Sequence, residues 1–324
     1  MKIAVLSGKG GTGKTLVSVN LASVAGFKKE SGSECIIYAD CDVEEPNGHL
    51  FFKPEITSET LVAVMAPKFD NDTCISCRAC VDFCKFNALA MLKKPLLFSE
   101  ICHSCGGCVK VCPVGAITEV EKNVGTVECG ISVLTKSNDA ISDKVTVVTG
   151  IMNPGEASGT PIIGTMYEKI DELVQYSPSD SSMVVVDCPP GSACLAMDAI
   201  KDADFCVLVA EPTVFGAHNF AMVHELVRLF KKPFGAVLNK CPRSDDNADG
   251  VGGDDPSAVF CEENNVPVLL RIPFSHDLGE LNSYGKILVR EKDIYASLFT
   301  DLYEQIEVQY AVQTSASKGG HNES

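Results

Sequence analysis

Four cysteines, Cys74, Cys77, Cys80 and Cys84, recur twenty-eight residues further on as Cys102, Cys105, Cys108 and Cys112. Ala88 recurs at the same interval as Ala116, with Leu89 matched by Ile117. Equal spacing at five positions predicts a module of two similar halves related by a pseudo-two-fold axis. A disulfide scaffold is not expected in a chain of 324 residues with no sign of a secretory leader. Eight of the sixteen cysteines lie between Cys74 and Cys112, and thiols clustered in this way point to a metal or a metal cluster.

The rest of the chain has a different rhythm. Apolar runs at Ile3–Leu6, Cys35–Ala39, Val145–Val148, Met183–Val186, Phe205–Ala210, Phe234–Leu238 and Val266–Leu270 are short, β-branched-rich and nearly continuous. Such runs suit strands buried on both faces of a parallel sheet. Helical stretches, clearest at Thr15–Ala25, His218–Phe230 and Asp254–Asn265, lie between several of them. The alternation predicts an α/β fold with a doubly wound, mostly parallel sheet, interrupted by a small α+β module. The expected divisions are residues 1–65 and 121–312 for the α/β domain, 66–120 for the insert, and 313–324 for a small, polar, disordered tail.

The first strand runs into Gly8-Lys9-Gly10-Gly11-Thr12-Gly13-Lys14-Thr15 and then into a helix. This is the GxxxxGK[ST] phosphate loop in its strand–loop–helix context. The glycines let backbone amides turn toward phosphate oxygens, and the helix N-terminus adds a favourable field. Lys14 is expected at the β- and γ-phosphates, and the Thr15 hydroxyl on Mg²⁺. A Walker B carboxylate at a strand end holds Mg²⁺, usually through water, and Asp187 fits that place. Asp40 supports Mg²⁺ from further out or caps a turn.

With Lys9, the loop resembles the deviant Walker A loop of the MinD and nitrogenase-iron-protein (SIMIBI) class of P-loop ATPases. Asp40-Cys41-Asp42 resembles the switch I of that class, which implies that Asp42 orients the attacking water, and Asp187-Cys188-Pro189-Pro190-Gly191 resembles its Walker B and switch II. Asn239-Lys240 ends a strand where the class reads the adenine base. The resemblance implies ATP and Mg²⁺ as cofactors, ATP hydrolysis, and a dimer in which Lys9 reaches the partner's nucleotide. The dimer is formed with a second copy or with a related ATPase.

Each cysteine run matches the bacterial ferredoxin spacing, the second with Pro113 after Cys112 and the first with Lys85 after Cys84. That resemblance implies two [4Fe–4S] clusters with exchanged fourth ligands. One uses Cys74, Cys77, Cys80 and Cys112; the other uses Cys102, Cys105, Cys108 and Cys84. A pair of zinc sites is the competing reading, but zinc ribbons space their cysteines more widely. His103 is expected to face solvent. Cys194, seven residues after Asp187, sits at the offset of a cluster ligand in the nitrogenase iron protein. The stretch Asn153–Gly159 supplies no second cysteine, so Cys194 is expected to be a small buried residue at a helix start.

Three functions compete. The first is an ATP-gated redox protein that passes electrons from its clusters to a partner. The second is an assembly factor, resembling the Mrp/ApbC carriers, that delivers a cluster to an acceptor; the late Cys-x2-Cys pair of those carriers is absent outside the two runs. The third, MinD-like positioning, needs a basic amphipathic helix at the membrane, whereas 294–312 carries Asp301, Glu304 and Glu307 and neither Lys nor Arg. A net charge of −16 disfavours nucleic acid and anionic membranes as partners. Residues 66–120 hold six basic and five acidic side chains, so the acidity lies elsewhere. Ile3–Leu6 is too short for a signal peptide and no run reaches the ~18 apolar residues of a membrane span, so the cytoplasm is the expected location. Asp245, Asn247, Asp249 and Gly250 imitate half of a calcium loop, but Pro256 stands where a glutamate is required, which favours a solvated insertion.

Overall fold

The seven apolar runs become seven parallel strands of one sheet. The computed structural model describes residues 1–27, 35–135, 142–177, 182–242 and 255–319. The strands are β1 (Lys2–Leu6), β2 (Cys35–Asp40), β3 (Glu55–Phe69), β4 (Leu89–Met91), β5 (Pro95–Leu97) and β6 (Ile117–Thr135), followed by β7 (Ser142–Met152), β8 (Ser182–Asp187), β9 (Phe205–Ala210), β10 (Phe234–Cys241) and β11 (Val268–Pro273). Nine of them form the main sheet in the order β11-β10-β9-β1-β8-β2-β7-β6-β3. Strands β11 through β7 are parallel; β6 and β3 add an antiparallel edge.

The helices are α1 (Lys14–Phe27), α2 (Gly48–Phe52), α3 (Ala79–Phe83), α4 (Gly107–Lys110), α5 (Thr160–Gln175) and α6 (Cys194–Ile200), then α7 (Val214–Leu229), α8 (Pro256–Glu263), α9 (His276–Ser283), α10 (Leu288–Glu291) and α11 (Asp293–Gly319). Strand side chains alternate between faces, so the sheet feeds two cores. One joins Ile37, Val148 and Leu208 to α5, α6, α7 and α8. The other joins Ile3, Val185 and Val207 to α1, α10 and α11. Every residue of β9 is buried, which is why its run reads as continuous rather than alternating. Among the described residues no helix is long and apolar enough to cross a membrane.

Within the main sheet, β3 and β6 are the strands that apolar runs did not predict. They form a long hairpin pairing Glu55 with Ile131 at its base and Phe69 with Ile117 at its far end. β3 is the sheet edge and mostly solvent-exposed, so nothing requires it to be continuously apolar. The cysteine module sits beyond the Phe69–Ile117 pair, and the Asp70 amide donates to the Ala116 carbonyl at its neck (2.8 Å).

The disordered tail expected from Gln313 is corrected, because α11 continues to Gly319. The Gln313 amide donates to the Phe234 carbonyl (2.8 Å) and its oxygen accepts from the Phe234 amide (3.0 Å), tying this turn to the start of β10. Residues 320–324, and Asp245, Asn247, Asp249 and Gly250 of the calcium-like stretch, lie outside the described residues.

Candidate functional site

β1 delivers the phosphate loop to the C-terminal edge of the sheet, where α1 begins at Lys14. Gly11 and Gly13 have φ of +78° and +99°. At Gly13 a Cβ would lie 2.1 Å from Asn239 Nδ2, so both conformation and space require glycine. Asn239 Nδ2 donates to the Thr12 carbonyl (2.7 Å), and Asn239 Oδ1 accepts from the Lys240 amide (2.9 Å). Asn239 lines the cleft, yet both polar ends of its amide brace the chain. Thr12 Oγ1 is buried and, among the described residues, has no hydrogen-bond partner. An orphaned hydroxyl under a loop of glycine amides fits an anionic ligand such as a phosphate chain.

The acids converge on Lys14. In the β2–β8 register Asp40 lies opposite Asp187. Lys14 Nζ is 2.7 Å from Asp187 Oδ1 and 3.6 Å from Asp42 Oδ2. The Tyr38 hydroxyl donates to the other oxygen of Asp187 (3.0 Å). Burial alone would lower the Lys14 ammonium, but Asp187, then Asp42 and Asp40, outweigh it and hold the ammonium above its ordinary value. Burial raises the Asp42 carboxyl, with Lys14 opposing.

Asp40 caps the loop that carries Asp42. Its Oδ2 accepts from the Asn47 (2.9 Å) and Gly48 (2.7 Å) amides, and its Oδ1 from the Asp42 amide (3.3 Å). Burial, and then Asp187, push it from 3.8 up to about 7 despite those bonds. The unfolded chain therefore gives up this proton first as pH rises, so Asp40's contribution to stability should fall between about pH 4 and pH 7. Thermal melts across that window should show a shallower pH dependence in Asp40→Asn than in wild type. An identical dependence would remove Asp40 as the cause.

Lys9 pairs with Glu211 of its own chain, just beyond β9. Lys240 shares Glu211 (3.2 Å) and donates to the Gly11 carbonyl (2.7 Å). Gly10, Thr15, Pro273, Phe274 and Leu278 complete the wall of an open cleft of about 950 Å³. Tyr38, Glu211 and the Pro273–Phe274 wall were not read as site residues, since no motif marks them. An acid directly after an apolar strand was the available signal for Glu211.

Each cysteine run wraps a short helix, α3 or α4. Backbone geometry repeats with the sequence: Ser76, Arg78 and Asn87 have positive φ, and so do Ser104, Gly106 and Gly115 at the same interval. These left-handed turns fold each run back upon itself. Cys74, Cys77, Cys80 and Cys112 line one cavity, with Ile75 and Ile117. Cys84, Cys102, Cys105 and Cys108 line a second, with Phe83 and Leu97. The fourth cysteine of each run thus faces the first three of the other. Among the described residues no three His, Cys, Asp or Glu side chains gather as a single-ion site; the thiols instead surround voids between apolar walls. The Ala116 amide donates to Cys112 Sγ (3.2 Å), a bond suited to a thiolate. This donor set fits a pair of iron–sulfur clusters. His103 is exposed and stacks on Phe86, with centroids 3.9 Å apart.

The expectation for Cys194 is corrected. It does begin α6, but it is exposed, whereas Cys188 is buried. Leu195 takes the packing role, its Cδ2 lying near Gly159.

Fold and site together define a MinD-like α/β fold carrying a ferredoxin-type domain. Residues 73–116 match the family model described as a 4Fe-4S dicluster domain. Over 310 residues, 95% of this chain and 96% of the relative, the chain is 29% identical to the uncharacterized protein MJ0578 of Methanocaldococcus jannaschii. Among solved structures it is similar to the cell division ATPase MinD of Pyrococcus furiosus, with 20% identity, TM-score 0.52, and 95% and 98% of the two chains covered. It is similarly close to the septum site-determining protein MinD of Pyrococcus horikoshii, solved with Mg-ADP, with 18% identity, TM-score 0.52, and 96% and 98% covered.

Proposed function

We propose that this chain binds Mg-ATP in the cleft, hydrolyses it, and couples the nucleotide cycle to electron transfer from two [4Fe–4S] clusters to a partner protein. The observation that carries the reading is the pair of cysteine cavities, each completed by the other run, on a hairpin of the same sheet that ends in the phosphate loop. Bound clusters would supply one-electron redox chemistry. The chain's own residues hold Cys74, Cys77, Cys80 and Cys112 around one cavity and Cys84, Cys102, Cys105 and Cys108 around the other. Cys77 and Cys105 are exposed, which gives each quartet a corner near the surface.

In the cleft, loop amides and Lys14 hold the phosphates. Thr15 and Asp187 would hold Mg²⁺ when it binds with the nucleotide. Asp42 orients the attacking water, and Asp40 shapes the loop carrying Asp42. Asn239 braces the loop, and Pro273 and Phe274 offer an apolar wall against which a base would pack. Cluster delivery to an acceptor is the second reading, and the exposed corners suit it as well. Redox titration of the reconstituted chain with and without Mg-ATP, beside an assay of iron and sulfide transfer to an apo-acceptor, separates the two. Nucleotide-dependent potentials without transfer support electron flow; transfer with unchanged potentials supports delivery.

A dimer requires Lys9 to exchange Glu211 for the partner's nucleotide. Lys9 is 35% exposed and Glu211 12%, but Glu211 keeps Lys240 when Lys9 leaves, so releasing the pair costs about 1 kcal/mol. Glu211→Gln should therefore tighten the Mg-ATP-dependent dimer by up to about fivefold. Lys9→Ala should weaken it by about tenfold or more, the effect of losing a charge-assisted hydrogen bond. Light scattering in an Asp42→Asn background, where hydrolysis is blocked, measures both. Mass insensitive to nucleotide and to Lys9 would sink the dimer.

A further inference from the structure

Switch I and the cysteine module are joined by a short run of direct contacts. Val43, next to Asp42, accepts a hydrogen bond at its carbonyl from the Met152 amide (2.8 Å) at the end of β7. The next residue, Asn153, donates its amide to the Val124 carbonyl of β6 (2.9 Å). The chain then turns through Gly155, φ +80°, and brings Glu156 back to Lys122 of β6. Lys122 Nζ lies 2.7 Å from Glu156 Oε2, which is only 12% exposed. The same ammonium donates to the Ser99 carbonyl (3.4 Å) inside the module. That carbonyl also accepts from the Cys102 amide (3.4 Å).

The loop that carries Glu156 is anchored at its C-terminal end by close packing. A Cβ at Gly159 would lie 2.4 Å from Val43 Cγ2 and 3.4 Å from Leu195 Cδ2. One end of the loop is therefore packed between the residue after Asp42 and the helix that follows Asp187. Its other end holds Lys122. If Val43 moves by a fraction of an ångström, close packing transmits the movement rather than cushioning it.

We propose that the Lys122–Glu156 pair is the joint through which nucleotide in the cleft repositions the Ser99–Cys102 turn of the cysteine module. The proposal rests on the nucleotide and cluster reading above. Lys122 and Glu156 are positioning residues, since neither lines the cleft or the cysteine cavities. Coupling of this kind is reciprocal: the factor by which nucleotide shifts the module equals the factor by which the module's state shifts nucleotide affinity.

The test is amide hydrogen exchange on the full, anaerobically reconstituted chain, with and without a non-hydrolysable ATP analogue and Mg²⁺. In wild type and Lys122→Arg, nucleotide should change exchange at the 99–106 amides by about fivefold or more. In Lys122→Met and Glu156→Gln that response should be lost, while iron content and analogue affinity stay within about twofold of wild type, as expected for groups outside both sites. If Lys122→Met loses its clusters, Glu156→Gln, which keeps the side chain's size, decides alone. Responses in both variants equal to wild type would overturn the joint. So would a wild type that binds the analogue with no change at 99–106, and in that case the nucleotide reading survives. A wild type that binds no analogue overturns both.

Discussion

Replacing Lys14 with alanine is expected to abolish ATP turnover and, separately, to destabilise the nucleotide-free chain by about 3–5 kcal/mol, the cost of stranding one side of a buried ion pair. Lys14 is 6% exposed and its ammonium sits between Asp187, 1% exposed, and Asp42. Asp40, wholly buried, lies opposite Asp187 in the adjoining strand. Without the ammonium these carboxylates face one another in a poorly solvated site. The deficit should be largest near neutral pH and shrink as pH falls, because protonated carboxyls no longer repel. The native Lys14 contribution does not itself vary there. A lysine with a raised folded value keeps its stabilisation below the unfolded value of 10.5 and loses it only at more alkaline pH. Thermal melts of Lys14→Ala from pH 5 to pH 8, beside phosphate release and iron analysis, check each part. Normal turnover in the variant would refute the assigned role. A full iron complement without turnover is the expected pattern, since the cysteine cavities lie at the far end of the β3–β6 hairpin.

The second large effect concerns iron. The reconstituted chain should hold about eight irons, the content of two four-iron clusters. Paired substitutions then distinguish exchanged from unexchanged ligands. Cys74→Ser with Cys112→Ser removes two walls of one cavity and should leave about four irons, the content of one cluster. Cys74→Ser with Cys84→Ser damages both cavities and should leave few or none. The opposite ranking would mean that each run holds its own cluster. Stoichiometric zinc with no brown chromophore would end the iron–sulfur reading. Iron, sulfide and zinc analysis, with spectra of the reduced clusters, decides among these.

Much of this architecture was readable in the amino-acid order, and the reasons are local. The strand, loop and helix around Gly8–Thr15 are contiguous, so the motif's spacing is visible along the chain, although the space that Gly13 leaves is filled by the distant Asn239. The parallel strands read clearly because both their faces are buried, which leaves an apolar run with little ambiguity. The cysteine repeat was legible because ligands on a tight turn must keep their spacing. Its backbone counterpart, the paired positive-φ positions, follows the same interval. The expectation failed where side chains answer to distant neighbours. β3 and β6 escaped notice because a sheet edge tolerates Glu, Thr and Ser. The end of α11 was placed too early because Gln313 is held by Phe234, seventy-nine residues away. Cys194 was expected to be buried at a helix start, and the packing of Leu195 beside Gly159 exposes it instead.

The sequence by itself determined the phosphate loop, the two cysteine runs and the parallel strands of the sheet, since each depends on spacing along the chain. Tertiary structure alone decided which groups meet. The β2–β8 register sets Asp40 against Asp187 and brings the Tyr38 hydroxyl to the latter's second oxygen. The end of β9 supplies Glu211 to Lys9. The β6–β7 pairing carries Glu156 to Lys122, and Lys122 to the turn before Cys102. Contacts of this kind span tens to hundreds of residues, and no local spacing encodes them; strand order and register do.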